Sequence, residues 1–528
     1  MIKKITAFAV AIILLLTCFS ACSKDDGKNK AFACAVNELP VHFDPQIAKT
    51  QSEKTVAVNI FDGLFKLSEN GEAVKCAVSD YSVSADGLSY TFTIKDNLKY
   101  YISSKAKKYI EEKGANLDGR ITAEDFAFGI TRGVLPETSS PDYELLSVIK
   151  NAESVHKGET GAENLGVRVI DDLTLEITLE RPSDDFIYAL TQPVSYPCDK
   201  EFFELTAGRY GLAAEYTVSN GAFYLSSVNE GKSVSLAKNT EYIGDFSPLP
   251  ASVSLYLNSN ETDIAKKVDK GTYDIGFFSG ESALKELGRS VQKTEMQNIA
   301  CSLIFNMSDS VMQNASLRTG LISAVELSAV TKTPLKTVVP PYYKPSGNDT
   351  SVEGIAFNGD EAQKNMIEAY KKLGVENLTV EVLCTEEYEA AAKAVVSCWQ
   401  KNIGVELNGA VKAVSNEDFI KLIKSGEYDT AIYPVTVDSQ NAVDFLSLFA
   451  QSGNAFGYES KEYSRIFNEL KISPSGEKIS YCQSFLLKNG VVLPLFCEST
   501  VFAVAKNTRG VYFCGDTANV YFYKGLKK

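Results

Sequence analysis

Histidine is scarce in this sequence, and its scarcity limits the metal chemistry that the chain can support. His42 and His156 are the only histidines among 528 residues, and the 11 cysteines form no Cys-x-x-Cys pair. Zinc sites need several histidine or cysteine ligands at short, characteristic spacings, and a His-Glu-x-x-His motif is also missing. The sequence therefore predicts no metal site, and no motif in it points to a cofactor.

Motifs of covalent and phosphoryl chemistry are missing as well. There is no Gly-x-Ser-x-Gly motif and no phosphate-binding loop. Ser104 and Lys107 form a Ser-x-x-Lys spacing, but they lie in a lysine-rich segment without the companion motifs of penicillin-binding enzymes. These absences favour a binding protein over an enzyme. A hydrolase acting on surface glycans is the alternative from a different class.

Positive charge is in deficit, which excludes some partners. Lysine and arginine total 53 against 67 aspartate and glutamate residues, a net charge of −14. This balance argues against nucleic acid and against a basic membrane-binding patch. A hydrophobic fraction of 45% indicates a packed globular protein. The length exceeds what one hydrophobic core usually supports, so two or three domains are expected, in a chain that we expect to be monomeric.

Only one long hydrophobic run is present, and it lies at the N-terminus. Ile5–Phe19 follows Lys3 and Lys4 and falls short of the roughly twenty residues of a membrane span. It is typical of an export signal, residues 1–21. Ser20-Ala21-Cys22 resembles a lipobox, although Phe19 stands where leucine is usual. We therefore predict that Cys22 carries a lipid anchor, the chain's only membrane attachment, with residues 22–30 as a flexible tether.

The alternative to a lipoprotein signal is a plain secretory signal with a chance cysteine. Cys18 is the weaker lipidation candidate, because bulky Leu16 and Thr17 precede it. Ser23 at the second mature position would direct a lipoprotein to the outer membrane of a two-membrane cell. A protein that works at the cytoplasmic membrane would be misplaced there, so we expect a single-membrane, Gram-positive-type host. The pairing of the remaining cysteines is left open by the sequence.

Hydrophobic periodicity changes along the chain from hairpins to alternating strands and helices. Residues 81–94, 166–180 and 222–238 alternate apolar and polar residues around turn sequences, which predicts three β-hairpins. Residues 377–435 read as strand, helix, strand, helix, strand, with Ala392, Val395 and Trp399 on one helix face. A β-α-β-α-β order predicts a mostly parallel sheet and an α/β fold.

A short phrase occurs in both halves of the chain. Gly271-Thr-Tyr-Asp274 and Gly426-Glu-Tyr-Asp429 each stand between a predicted helix and a predicted strand. Glycine can adopt the left-handed conformation that ends a helix. We expect two α/β lobes, each with such a helix-to-strand return, and ligand binding at the carboxyl ends of their strands.

A series of phrases in order carries a resemblance to a known family. The chain resembles the family 5 extracellular solute-binding proteins, the peptide- and nickel-type receptors of ABC importers, through these phrases: Asp44-Pro45, Phe61-Asp62-Gly63-Leu64, Ser84–Phe92, residues 118–132, Ser219–Leu225, Lys238–Tyr242, Lys270–Gly276, Ile304–Asp309, Trp399–Leu407 and Val491–Phe496. The phrases extend over nearly the whole chain after the signal. Residues 100–117 depart from the family pattern, and we expect them to form a helical surface insertion.

The resemblance implies a periplasmic-binding-protein type II-like α/β fold with a hinge, an interlobe ligand cleft and an extra lobe. Lobe I would comprise 31–56, 200–285 and 504–528, lobe II would comprise 57–199, and lobe III would comprise 286–503. The implied function is capture of peptides and their delivery to an ABC permease and its ATPase. A co-receptor for signalling peptides, or less readily a nickel-chelate or glycan-related binder, is the alternative.

The resemblance also implies ligand-binding residues. Asp438 stands seven residues before Phe445-Leu446, where oligopeptide-binding relatives carry the aspartate that holds the ligand's α-ammonium. The expected main-chain partners of a bound peptide are Pro434, Val435, Thr436 and Val437, with Asn37, Glu38 and Leu39 from the other lobe. Two departures stand beside the aspartate: Val435 replaces a common tryptophan, and the usual Asp-Pro or Glu-Pro after the acid is absent. No arginine lies in the strand beside it, where some relatives bind the peptide carboxylate. The alternative for Asp438 is a turn residue that caps a helix.

Overall fold

The computed structural model describes residues 26–278, 281–343, 352–437, 441–451, 453–472, 474–514 and 519–528. The chain forms two compact units. Unit 1 comprises the chain up to Lys293 together with Phe502–Lys528, and unit 2 comprises Thr294–Val501.

Unit 1 contains several runs of consecutive strands, whereas strands and helices alternate over 378–435 in unit 2. The strands are β1 Ala31–Val36, β2 Phe65–Leu67, β3 Ala73–Lys75, β4 Val78–Val83, β5 Ser89–Ile94, β6 Val167–Asp171, β7 Thr174–Thr178, β8 Phe223–Asn229, β9 Ser233–Lys238, β10 Ser252–Leu257, β11 Ile275–Phe278, β12 Gln292–Phe305, β13 Leu378–Thr385, β14 Leu407–Val414, β15 Thr430–Val435, β16 Val492–Val504, β17 Thr508–Arg509, β18 Tyr512–Cys514, β19 Asn519–Tyr521 and β20 Leu526–Lys527. The helices are α1 Gln51–Ile60, α2 Ser104–Glu112, α3 Ala123–Val134, α4 Ala152–His156, α5 Phe186–Ala189, α6 Lys200–Leu205, α7 Glu261–Asp269, α8 Glu281–Leu284, α9 Ala315–Ser323, α10 Leu327–Val330, α11 Gly359–Leu373, α12 Glu389–Asn402, α13 Asn416–Ser425, α14 Ala442–Ser447, α15 Lys461–Ile472 and α16 Gly476–Lys488.

Unit 1 contains a mixed sheet in the order β11-β1-β10-β9-β8. The N-terminal strand β1 is parallel to both β10 and β11, and β10 is antiparallel to β9. Because β1, β10 and β11 run in one direction, their carboxyl ends lie at one edge of the sheet. The predicted hairpin at 222–238 is confirmed as the antiparallel pair β8–β9.

A second sheet of unit 1 contains the other two predicted hairpins. Its four strands are antiparallel in the order β4-β5-β7-β6. The β4–β5 turn contains Gly87 at φ 71°, a conformation that glycine adopts without the steric cost of a side chain. Residues of this sheet and of α3 form one hydrophobic core, in which Phe92, Phe126 and Leu175 have no exposed surface. Both hairpin predictions are confirmed.

The insertion predicted at 100–117 contains a helix, α2, which begins after Ser103. The Ser103 hydroxyl accepts a hydrogen bond from the Ala106 N–H at 3.2 Å and caps the helix. Ala106, Tyr109 and Ile110 are buried on one side, whereas the lysines of the helix are exposed. The insertion is therefore helical, and it is packed on the core of unit 1 through one face.

The strands of unit 2 follow the order β14-β13-β15-β12-β16. Strand β13 is parallel to β14 and to β15, and β15 is antiparallel to β12. The predicted β-α-β-α-β order over 377–435 is confirmed. Trp399 of α12 is fully buried, and its indole N–H donates to the Leu321 carbonyl at 2.9 Å.

The two Gly-x-Tyr-Asp phrases have the same role in the two units. Gly271 and Gly426 have φ of 74° and 71° at the helix ends, as predicted. The aspartate that follows each then accepts a backbone N–H from a neighbouring parallel strand. Asp274 Oδ2 accepts from Ala33 of β1 at 2.8 Å, and Asp429 Oδ2 accepts from Glu381 of β13 at 2.9 Å. In each unit, the two residues that directly follow the aspartate and its N–H donor form the first register pair between the parallel strands.

Asp274 binds more partners than Asp429 does. It has no exposed surface, and it also accepts the Thr508 hydroxyl at 2.8 Å and the Lys527 ammonium at 3.0 Å. These bonds join β1, the start of β11 and the C-terminal strands of unit 1.

The nine cysteines that lie in the described ranges are all free thiols. Eight of them are buried, and Cys497 is half-buried. The buried ones pack as small apolar residues, as the scattered spacing suggested. Burial raises the pKa of the Cys198 and Cys482 thiols to about 12, which keeps both in the unreactive protonated form.

Asp274→Ala should destabilise the protein more than Asp429→Ala. The first substitution leaves a buried N–H, a hydroxyl and an ammonium without their shared carboxylate, and should lower the free energy of unfolding by about 3–5 kcal/mol. The second removes one charge-assisted bond and should cost about 1.5–3 kcal/mol.

Denaturant unfolding followed by circular dichroism measures both losses. Fluorescence of Trp399, the single tryptophan, reports unit 2. An Asp274→Ala protein that unfolds at the wild-type denaturant concentration would contradict the role assigned to this carboxylate.

Candidate ligand-binding site

The predicted residues of unit 1 follow directly after β1. Asn37 and Glu38 are exposed, and Leu39 is half-buried. The Asn258 N–H, from the segment after β10, donates to the Val36 carbonyl at 2.9 Å, so the two parallel strands end side by side. Asn37–Leu39 therefore lie at the carboxyl edge of this sheet, the position where open α/β sheets bind ligands.

The predicted residues of unit 2 lie at the corresponding end of β15. Pro434 is opposite Cys301, and Val435 is opposite Ala300, in the antiparallel ladder with β12. Val435 is buried in the unit's core, Thr436 is exposed, and Val437 is half-buried. This segment also ends at the carboxyl edge of its own parallel strands, since β13 runs alongside β15 in the same direction.

Tyr343 ends the ladder between β12 and β15. Two positions beyond the Ala300–Val435 pair, the same register would place Asn298 opposite Val437. The Tyr343 hydroxyl lies there instead: it accepts the Val437 N–H at 3.0 Å and donates to the Asn298 carbonyl at 2.9 Å. Its ring packs against Phe445 at 5.0 Å between centroids. One fully buried side chain thus fixes the backbone of the candidate segment.

The main chain of this segment has one edge directed away from β12. The Val437 N–H is directed toward Tyr343 on the β12 side, where the Thr436 hydroxyl also hydrogen-bonds the Tyr343 hydroxyl at 3.0 Å. Because main-chain groups of successive strand residues alternate between the two edges, the carbonyl of Pro434 and the main-chain groups of Thr436 are directed to the opposite edge. Pairing of β13 with β15 ends at Leu383 and Ala431. Beyond that point, the Pro434 carbonyl and the N–H and carbonyl of Thr436 lie on a strand edge that β13 does not cover. Two acceptors and one donor there match the main chain of an extended ligand.

A cavity of about 1190 Å³ lies at the other end of β15. Two of the polar residues that line it are engaged by the fold. The Asn306 amide donates to the carbonyls of Gly426 and Tyr428, both at 2.9 Å, and Arg318 donates to three backbone carbonyls. None of the predicted ligand-binding residues that the structure describes lines this cavity. We therefore place the candidate site at the carboxyl edge and not in the cavity.

Several predictions concern residues that the structure does not describe. Cys18, Cys22 and the signal lie before residue 26, and Asp438 lies between the described residues Val437 and Asn441. Tyr343 was missed by the sequence reasoning, because Val338–Tyr343 shows no periodicity that would direct attention to one tyrosine.

Two further features are absent from the part of the chain that the structure describes. Across the described ranges, no group of three histidine, cysteine, aspartate or glutamate side chains is placed to hold a metal ion. None of the helices described above combines the length and the apolar character needed to cross a bilayer.

Tyr343→Phe should loosen the Pro434–Val437 segment. The substitution keeps the ring against Phe445 but leaves the Val437 N–H and the Asn298 carbonyl without their shared partner, at a cost of about 1–3 kcal/mol. Hydrogen exchange followed by mass spectrometry should show faster exchange in peptides that cover 430–437.

Tyr481→Phe is the matched control, since Tyr481 is 55% exposed on α16. It should leave exchange in that region unchanged. Equal exchange in the Tyr343→Phe and wild-type proteins would contradict the bridging role of the hydroxyl.

Comparisons with known proteins show which family this chain resembles in sequence. Residues 73–457 match the family model of bacterial extracellular solute-binding proteins, family 5 Middle. A dipeptide-binding protein of Lactococcus lactis is 24% identical over 89% of this chain and 87% of its own length. The oligopeptide-binding protein OppA of Bacillus subtilis is 23% identical over 98% of this chain and 99% of its own.

A solved structure shows the same fold. OppA of Listeria monocytogenes, solved with bound peptide, superposes with a TM-score of 0.73 at 21% identity, over 95% of this chain and 99% of that one. This likeness shows a periplasmic-binding-protein type II-like α/β fold. The family match covers well over half of the sequence, and the chain belongs to family 5 of the bacterial extracellular solute-binding proteins.

Proposed function

We propose that this protein captures peptides outside the cytoplasm and delivers them to an ABC importer, working as a monomer with a permease and its ATPase. Relatives named as dipeptide- and oligopeptide-binding proteins support a peptide ligand. The family is one of solute-binding proteins and not of enzymes, which supports release of the ligand unchanged.

The uncovered strand edge at Pro434 and Thr436 carries this proposal. An extended peptide binds such an edge through its own main chain, which gives affinity that tolerates different side chains. Tyr343 fixes the edge in advance, so less conformational entropy is lost on binding. We extend the proposal to the main chain of Asn37–Leu39, at the carboxyl edge of the strands of unit 1.

Asp438 is proposed to bind the peptide's α-ammonium. It comes directly after Val437, the last described residue of this segment, and the family resemblance gives it this role. A carboxylate that pairs with an ammonium away from water forms a charge-assisted hydrogen bond, stronger than a neutral one.

The division into three lobes also stays a proposal. The two largest sheets of unit 1 are separate from each other, which supports assigning the sheet of β1 and β8–β11 to lobe I (31–56, 200–285, 504–528). The four-stranded sheet falls in lobe II (57–199). Lobe III (286–503) would contain unit 2.

We further propose that Cys22 is lipidated and holds the protein to the outer face of the cell membrane of a Gram-positive-type host. Residues 22–30 would then tether the receptor near its permease.

A signalling co-receptor would use the same binding edge, and genes for permease and ATPase subunits beside this one would favour the importer.

Cys22→Ala should release the protein from membranes, because the acyl chains that anchor it can no longer be attached. Cells that express the variant and the wild type are fractionated, and the protein is detected in the membrane and soluble fractions. Cys18→Ala is the matched control and should remain in the membrane fraction. Release by Cys18→Ala and retention of Cys22→Ala would reverse the assignment.

Asp438→Asn should weaken binding of peptides that have a free N-terminus. Removing one member of a buried charge pair costs about 2–5 kcal/mol, or roughly thirtyfold to several thousandfold in affinity. Acetylating the peptide removes the other member of the same pair. The two changes together should therefore cost little more than either alone.

Calorimetry on the four combinations of protein and peptide measures this coupling. Losses that add, or an Asp438→Asn protein that binds free-amine peptides as tightly as the wild type, would show that Asp438 does not bind the ammonium.

A further inference from the structure

The loop that contains Asn37–Leu39 runs from the end of β1 at Val36 to Asp44, the residue before a 3-10 turn. Its first end is fixed where the Val36 carbonyl accepts the Asn258 N–H at 2.9 Å. At its second end Asp44 is buried, although Val41 in between is 78% exposed. Such a loop keeps one path only if it is anchored from the side, and two buried charged residues do this here.

Glu53 of α1 is the first anchor. Its Oε1 accepts the Val41 N–H at 3.4 Å and lies 3.3 Å from His42 Nε2. Its Oε2 accepts the N–H groups of Lys49 and Thr50 at 2.9 and 3.1 Å, in the capping box that starts α1. The Glu53 side chain is 3% exposed. One buried carboxylate therefore joins the loop to the helix.

Arg132 of α3 is the second anchor. Its guanidinium donates to the two carboxylate oxygens of Asp44, at 2.6 and 3.2 Å, and to Gln46 Oε1 at 2.6 Å. Burial alone would lower the pKa of Arg132, but the Asp44 carboxylate outweighs it and raises that pKa above its ordinary value, so the guanidinium stays charged. A bidentate pair fixes orientation as well as distance. Asp44 is therefore held in one place.

The second anchor belongs to the part of the chain that we assign to lobe II (57–199). The Arg132 guanidinium lies over the rings of Phe203 and Tyr210, at 4.2 and 5.3 Å from their centroids. On the same helix, Phe126 is buried in the core that α3 forms with the four-stranded sheet. The path of a lobe I loop thus depends on a helix of the proposed lobe II.

We propose that Glu53 and Arg132 are positioning residues for peptide binding at Asn37–Leu39. Both are buried, so they act through the loop and not by contact with the ligand. The inference rests on the peptide-binding function proposed above, and it gives lobe II a part in setting the affinity. A backbone that is already held in its binding conformation loses less entropy when a ligand pairs with it. Because that pairing is with the main chain, both residues should affect peptides of different sequence alike.

Calorimetry with alanine peptides of two to six residues tests the proposal. Glu53→Gln leaves one oxygen where two now accept hydrogen bonds, and Arg132→Lys replaces the paired donors of the guanidinium with a single ammonium. Each change should weaken binding about tenfold, the entropy of ordering roughly one residue's backbone. Hydrogen exchange should be faster in both variants, in peptides that cover 37–44. Circular dichroism checks that each variant is folded.

Two matched controls lower stability without releasing the loop. Thr50→Ala removes the hydroxyl that accepts the Glu53 N–H at 3.3 Å, and so weakens the start of α1. Phe126→Leu leaves a space in the core beside α3. Both controls should keep the wild-type affinity within about twofold. Losses in the controls equal to those of Glu53→Gln and Arg132→Lys would reflect stability alone and would overturn the proposal.

N-acetylated forms of the same peptides separate positioning from direct contact. The loss should be the same factor for free and acetylated peptides. A loss in Glu53→Gln that is confined to free-amine peptides would show that Glu53 binds the ammonium itself, and the proposal would be wrong. Unchanged affinity in either variant overturns the role of that residue and leaves peptide capture intact. A wild-type protein that binds none of the peptides overturns both the inference and peptide capture.

Discussion

The bond from an aspartate carboxylate to the N–H of a neighbouring parallel strand sets the position of both candidate segments. Asp274 fixes β11 against β1, and Asp429 fixes β15 against β13, each one residue before the first register pair. Parallel strands aligned at their starts present their carboxyl ends together. The two binding segments follow those ends. In each unit, an aspartate carboxylate at the start of the strand therefore determines the position of the main chain that is proposed to bind the ligand at the other end.

Alignment alone does not make an edge that can bind a peptide, because paired strands satisfy each other's hydrogen bonds. In unit 2, Tyr343 ends the pairing between β12 and β15 without leaving the backbone unbonded. Its hydroxyl takes the place of one ladder pair, so Val437 stays bonded although β12 and β15 part. Meanwhile β13 stops pairing before Pro434. The segment therefore combines a fixed backbone with an uncovered edge, which suits a receptor that must accept many side chains.

Local pattern predicted the parts of this structure that local forces determine. Alternation of apolar and polar residues predicted the hairpins, and the apolar helix face that contains the buried Trp399 predicted the β-α-β order. Gly271 and Gly426 end their helices because they adopt a positive φ. The site residues came from family resemblance. The sequence did not reveal the bonds of Asp274, Asp429 or Tyr343, since each joins segments tens of residues apart and has no periodicity. Such pairs become visible only when the strands are in register.

The central claim is that the protein holds peptides and returns them unchanged, and recovery of bound ligand tests it most directly. The purified protein is incubated with a defined peptide mixture, separated from free peptide and denatured, and the released peptides are identified by mass spectrometry. We expect intact peptides at about one per protein molecule, with many sequences represented. Retention of no peptide, or recovery of cleaved products only, would contradict the account.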